Sequence, residues 1–309
     1  MTLYWHQAKE VAETARRTNR VFQCGAQSAN AERWRVAQRI IKNGGIGPTV
    51  WVEGGAFRND PRGDWNWYID PSANPSNLDW DMWLGWKWGL APKRPWEPER
   101  YFRFRKFWDY SGGLATDLLY HTLSHLLIAL GPKFPRRVVA AGGNVVFNLQ
   151  NDNREVPENF HVLIEYPDNS VVILEATQVC NYGVPEIIRG QHATMHFEAP
   201  GIVIRPQSPF VEQVTEKAEK GIYDVEGVRN LELVRDSKDR VREIKIHCHT
   251  SGDQGEHVAN WLECIRTRNK PNLDADTAYK VMVPIALSVE SYRQQKAKLF
   301  DPEREEVIQ

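Results

Sequence analysis

Between residues 136 and 249 the sequence holds four stretches in which β-branched, aliphatic and aromatic residues alternate with polar ones: "RRVVAAGGNVVF", "ENFHVLIEYPDNSVVILEATQV", "EIIRGQHATMHFEAPGIVIRP" and "VREIKIHCH". A period of two is the signature of strands. "YPDNSV" reads as a hairpin turn between two such runs, and "EAPGIV" reads as another. Several long strands joined by hairpins predict an open, mostly antiparallel sheet.

What precedes the sheet is α/β in character. Residues 2–18 read as a helix that Thr2 can cap, with Leu3, Ala8, Val11, Ala12 and Ala15 on its apolar side. "RVFQCGAQ" (20–27) reads as a short buried strand, followed by the helix "NAERWRVAQRIIKNGG". Asn30 is placed to cap that helix and Gly44 to end it. "GPTVWVEGGAF" (47–57) is β-branched and reads as a further strand. Two helices, "GEHVANWLECIRTR" and "DADTAYKVMVPIALSVESYRQQ", close the chain.

Composition excludes several function classes. A net charge of −1 over 309 residues gives no electrostatic case for nucleic acid or a membrane surface. No apolar run approaches the roughly 20 residues of a membrane span. The start "MTLYWHQAKEVAETARR" lacks the pattern of a signal peptide. Cys24, Cys180, Cys248 and Cys264 are scattered, and reduced thiols in a cytoplasm are the simplest reading. His247 and His249 share a strand face near His257, yet no third ligand is well placed, so no metal site is expected. Neither G-x-G-x-x-G nor G-x-x-x-x-G-K-[ST] occurs; "NGGIG" follows a helix and reads as a helix stop.

Tryptophan is concentrated. Twelve are present and eight fall between Trp65 and Trp108, inside the irregular segment 58–110, a length that is usually functional. Indoles beside Asp, Asn and Arg suit the apolar faces and hydroxyl rims of a sugar. Trp80, Trp83, Trp86 and Trp88 have helical spacing and are expected to pin the segment down. Trp65, Trp67, Trp108 and Tyr110 lie near turns or glycines and are the candidate substrate contacts, with Arg58 at the segment's start.

"SGGLATDLLYHTLSHLLIAL" (111–130) sets Asp117, His121 and His125 four residues apart in an apolar helix that ends at Gly131-Pro132. They form one slanting row. Thr116 can cap, which leaves Asp117 in the first turn, facing the positive helix end. A carboxylate there can orient an imidazole one turn on, and His121 then has the makings of a proton carrier for an alcohol. A helix cap with a hydrogen-bonded core histidine explains the pattern equally well.

"GGLATDLLYH" resembles the G-G-(G)-x-x-x-D-x-x-x-H segment of the Gfo/Idh/MocA oxidoreductases. "VFQCGAQSANAERWRVAQRIIKNGGIGPTV" is similar to that family's strand, G-x-Q, helix, G-x-(I/L)-G and next strand, and the closing helices match its C-terminal pair. The resemblance implies a Rossmann domain binding NAD or NADP joined to a domain with an open antiparallel sheet. It further implies hydride transfer to or from a sugar, polyol or related small hydroxy compound. By the same resemblance Asp117 and His121 lie on the catalytic helix with the histidine as acid/base, and Gln27 lies near the cofactor. Ser124 stands where the family often has an acidic residue, which leaves His125 the weaker candidate.

The family's E-K-P motif comes just before a segment like "MTLYWHQAKEVAETAR", so the glycine fingerprint, the acidic ribose residue and the motif lysine are expected upstream of Met1. On this reading residues 1–46 are the tail end of the NAD(P)-binding domain. Residues 47–309 are the substrate and oligomerisation domain, its last helix packing back toward the first. An unpaired apolar strand at 20–27 predicts association through that edge, or homo-oligomers through the open sheet. A cytoplasmic location is expected, with an export signal on a longer form left open. Two rival functions are a glycosidase that works by NAD-dependent oxidation and elimination, and a non-catalytic carbohydrate-binding or scaffold subunit.

Overall fold

The computed structural model describes residues 1–308. In chain order its elements are α1 (Trp5–Thr18), α2 (Arg33–Lys42), β1 (Thr49–Asn59), α3 (Trp80–Leu84), α4 (Pro98–Phe102) and α5 (Tyr120–Leu130). Next come β2 (Arg137–Gly143), α6 (Val146–Leu149), β3 (Asn159–Glu165), β4 (Val171–Thr177), β5 (Val179–Cys180), β6 (Ile187–Gly190), β7 (Ala193–His196) and β8 (Gly201–Pro206). The chain finishes with α7 (Val211–Glu219), β9 (Asn230–Arg235), β10 (Val241–His247), α8 (Gln254–Thr267), α9 (Ala275–Gln294), β11 (Lys298–Asp301) and β12 (Glu306–Val307).

The strands form one sheet in the order β12-β11-β2-β3-β4-β1-β6-β7-β8-β10-β9, with β5 beside the end of β1. The pairing of β1 with β4 is parallel; the other ladders are antiparallel. Alternation is visible in β3, where Phe160, Val162 and Ile164 are buried while His161 and Leu163 face out. One face thus carries the core and the other stays open, as antiparallel sheets allow. The "YPDNSV" turn joins β3 to β4, with Asn169 in the left-handed region at φ 63°.

Helices α5 and α9 cover the inner face, with α1 along α9 and α2 along α5. Gly54 lets α5 approach β1 closely: a Cβ there would lie 3.1 Å from both Thr122 and Leu126 side chains. Among the described residues no helix is long and apolar enough to cross a membrane.

Several local expectations need correction. Residues 20–26 form no strand and join no sheet, and Gln27 opens a 3₁₀ turn. Cys24 N–H donates to the Leu273 carbonyl (3.0 Å), the Cys24 carbonyl meets His257 Nε2 (2.9 Å), and Gln23 Nε2 donates to the His257 carbonyl (2.7 Å). With α8 and the approach to α9 satisfying these groups, no bare strand edge is left there. Asn30 does not cap α2; Glu32 holds the cap position without a side-chain bond, and Asn30 Oδ1 instead accepts from Asn272 Nδ2. Thr2 does not cap α1 either, because the helix starts at Trp5 and Gln7 Oε1 turns back onto the N–H groups of Leu3 and Tyr4. "NVVF" ends as helix α6, not strand. The buried Glu158 carboxylate accepts from the N–H groups of Val145, Val146 and Phe147 at 2.6–2.8 Å and so fixes the turn.

The segment 58–110 is held by buried charge. Lys106 Nζ, only 2 % exposed, reaches Asn66 Oδ1 (2.9 Å), Glu99 Oε1 (2.9 Å) and Asp152 Oδ1 (3.1 Å). Arg154 pairs with Asp152, donates to Gln178 and the Asp64 carbonyl, and lies over the Phe147 ring at 3.5 Å. Removing one partner of such a group leaves an uncompensated buried charge, so these contacts fix the loop's course.

Candidate active site around helix α5

The row at Asp117, His121 and His125 starts on an irregular helix. Residues Ala115–Leu119 form a π turn that runs into α5, a feature frequent at functional sites. Thr116 is not the expected N-cap: its hydroxyl accepts from Gly112 N–H (2.9 Å) and closes the entry turn. Asp117 sits in the first turn, as its position implied.

The two imidazoles live differently. His125 is buried, its Nε2 2.6 Å from Glu186 Oε1 and its Nδ1 3.1 Å from Ser28 Oγ. Its ring stacks on Trp34 at 4.2 Å and 14°, and Arg33 lies against the same indole at 4.4 Å. Glu186 just precedes β6; burial alone would raise its pKa, but the hydrogen bond and charge of His125, with Arg33, bring it below the ordinary value. Ser124, in place of the family's acidic residue, bonds back to the Tyr120 carbonyl at 2.6 Å.

His121 is half-buried, and neither ring nitrogen has a hydrogen bond among the described residues. Burial lowers its pKa; Asp117 opposes this, while His125, the chain's amino-terminal group and Arg58 add to it. Asp117 makes no hydrogen bond to the ring; its Oδ1 accepts from Arg105 Nε at 2.7 Å. The neutral imidazole, with one free lone pair, is therefore the form favoured near pH 7.

Arg58 reaches this place through strand periodicity. Gly54, Ala56 and Arg58 share the face of β1 that α5 covers, and Arg58 ends that row beside the helix entry. Its guanidinium is half-exposed, 3.5 Å from Asp64 Oδ2.

The aromatic candidates are dispersed. Trp65 is 2 % exposed and belongs to the core, contrary to its expected place at the site. Trp67 is 54 % exposed, its carbonyl accepting from Arg103 Nε (2.8 Å). Trp108 borders an open depression of about 800 Å³ with Ser111, Glu290 and Arg293. Tyr110 borders another of about 770 Å³ with Trp83, Asp109 and Gln7. Neither depression is lined by His121 or Asp117. Trp80 and Trp83 stack at 5.0 Å, both on α3, as their helical spacing implied. Gln27 is exposed in a single 3₁₀ turn over Gln27–Asn30. His247 pairs with Glu232 and His249 with Glu256.

Sequence reasoning missed Arg105, Glu186, Ser28 and Trp34. Only Arg105 had a signal, lying 12 residues before Asp117 in the same arginine-bearing segment; Glu186 is brought in by sheet pairing alone.

Comparison with known proteins agrees with this architecture. Residues 91–299 match the model of the "Oxidoreductase family, C-terminal alpha/beta domain". Among solved structures, an NAD binding oxidoreductase from Klebsiella pneumoniae is similar, with a TM-score of 0.60 and 15 % identity over 96 % of this chain and 70 % of that one. The aldose-aldose oxidoreductase of Caulobacter crescentus, solved with glycerol, gives 0.58 and 13 % over 97 % and 70 %. The WlbA dehydrogenase of Bordetella pertussis, in complex with NADH and UDP-GlcNAcA, gives 0.58 and 13 % over 97 % and 69 %. No curated protein sequence matches.

Proposed function

The chain belongs to the Gfo/Idh/MocA oxidoreductase family, and on that basis we propose that it interconverts an alcohol and a carbonyl on a carbohydrate-like substrate, with His121 carrying the proton. The single observation behind this is the unpartnered, half-buried imidazole of His121, held neutral by burial at the entry of α5. During oxidation the substrate hydroxyl proton passes to the free ring nitrogen as the carbonyl forms; in reduction it returns. Asp117 supplies negative charge one turn away, and the Arg58 guanidinium supplies positive charge that acts on the same ring.

NAD or NADP is the proposed partner, supported by the names of the similar solved proteins, and a nicotinamide supplies hydride chemistry when bound. The described residues do not fit the pyrophosphate of such a cofactor. No glycine-rich turn carries a strand into a helix N-terminus, and around Gly25 a Cβ would meet nothing within 4 Å. A second reading, a carbohydrate-binding subunit without turnover, is supported by the tryptophans concentrated between Trp65 and Trp108. Titrating the chain with NADH by tryptophan fluorescence separates the two, since saturable binding rejects the binding-only role. For the main reading, His121→Asn is assayed against sugars and polyols with NAD and NADP; turnover equal to the parent chain overturns it.

We also propose that two copies associate through the open sheet face, where Trp51 and Leu163 are 44 % and 48 % exposed. Sedimentation of Leu163→Asp as a monomer, against a larger parent species, is the expected result.

A further inference from the structure

We propose that the half-buried surface around His121, where Arg58 and the Arg105-bound Asp117 act on the ring, takes an alcohol that also carries a carboxylate, gripped by Arg105 and Arg58. This rests on the reading of His121 as proton carrier and names the substrate class that reading leaves open. Arg105 already holds a carboxylate here, that of Asp117, through one bond from Nε at 2.7 Å. Its remaining N–H groups have no hydrogen-bond partner among the described residues, and its guanidinium rests against the Phe104 ring at 4.6 Å. A guanidinium presents five donors and pairs best with a carboxylate through two parallel bonds. The single-point contact to Asp117 therefore leaves most of that capacity unspent, in a side chain that is one-third exposed.

Arg58 is in a similar state. It ends the helix-covered row of β1, half-exposed, with its nearest carboxylate oxygen at 3.5 Å, the outer limit of a hydrogen bond. Two under-used guanidiniums beside a neutral imidazole are of little service to an uncharged sugar, whose hydroxyls need neither planar nor charged partners. They match a planar two-oxygen anion.

Binding also acts on the chemistry. As Arg105 turns from Asp117 to the substrate carboxylate, the Asp117 oxygen becomes free to accept a hydrogen bond from His121 one turn on. Asp117 thus orients the proton carrier when the correct substrate is seated.

Calorimetry of the whole chain compares D-glucuronate, D-galacturonate and D-gluconate with D-glucose, D-galactose and D-glucitol, with D-glucose 6-phosphate as the phosphate probe. At least one acid is expected to bind about tenfold or more tighter than its neutral counterpart, the scale of a charge-assisted hydrogen bond. Arg105→Gln should erase that preference, Arg105→Lys restore part of it, and Arg58→Gln reduce it; circular dichroism verifies folding of each. Absence of any acid preference overturns the proposal, as does a preference that survives both Arg105→Gln and Arg58→Gln, or tighter binding of the phosphate ester. If no acid is preferred while His121→Asn abolishes turnover, the anion site falls and the His121 reading stands. If an acid is preferred while His121→Asn turns over undiminished, the anion site stands and the His121 reading falls.

Discussion

One turn of α5 separates two imidazoles that the structure treats in opposite ways. Around His125 every polar atom is engaged: Glu186 on one nitrogen, Ser28 on the other, Trp34 against the ring face. Around His121 the ring nitrogens have no partner among the described residues, and the neighbouring charges are only partly paired, Asp117 with Arg105 through one bond and Arg58 loosely with Asp64. A satisfied buried histidine resists moving or exchanging a proton, because doing so would strand its partners. An unsatisfied, half-buried one has a lone pair available for a ligand. Helical spacing therefore places residues in a row without giving them a common role; that role is set by what the other elements bring to each ring.

Substitution to alanine should divide the two positions cleanly. The largest effect expected is on turnover: His121→Ala lowers kcat by about 10²-fold or more, the usual worth of a positioned acid/base group. Its thermal midpoint should move little, since no hydrogen bond is lost. His125→Ala should do the reverse. It removes a charge-assisted bond to a half-buried carboxylate and an aromatic stack, together about 3 kcal/mol. For a chain of this length that lowers the midpoint by roughly 5 °C. Calorimetric melting with steady-state assays of both variants tests the division. Equal melting of the two would erase the distinction.

How much of this is legible in the sequence follows from the range of the forces involved. Alternation and hairpin chemistry are local, so β3, β4, β6, β7, β8 and β10 are readable, as are α8 and α9. The segment at 20–27 misleads because apolar content suggests a strand, whereas its hydrogen bonds go to α8 and the residue ahead of α9, more than 200 residues later. Helix α7, with Val211, Val214 and Ala218 at helical spacing, and strand β9, alternating in "NLELVR", carry the same local signals and are equally legible. At the site, the row on α5 is visible, but its pattern suggests a regular helix and gives no sign of the π turn at 115–119, which lies against α9. Trp65 shows the limit of composition: the indole that suits a sugar face equally suits a core, and only burial decides.

A smaller effect extends the contrast to Glu186. Its pKa lies below the ordinary 4.5 in the folded chain, so its contribution is complete above pH 4.5 and fades as pH falls through the folded value. Glu186→Gln keeps the shape while losing the charge. It should cost about 1 kcal/mol near neutrality and flatten the acid side of the stability curve below pH 4.5. Urea unfolding across pH 3–6 would measure this, and an unchanged acid limb would separate Glu186 from the His125 lock.

The smallest expected effect belongs to His121 and falls in a different pH window. Its folded pKa is below the ordinary 6.5, so as pH drops under 6.5 the unfolded chain takes up the proton first. Stability should therefore decline gently from pH 6.5 down to the folded value and level off below it. Solvent reaches this ring, which keeps the slope shallow. In His121→Ala that slope should become shallower, leaving the share of His192 and His196, whose pKa values burial also lowers, while the steeper acid loss from Glu186 and other carboxylates such as Asp168 persists. The acid arm of kcat/KM in the parent chain should fall within the same window, because protonating the free imidazole removes the lone pair that accepts the hydroxyl proton. If the stability slope and the activity arm had midpoints in separate windows, the proton carrier would have to be sought in a residue other than His121.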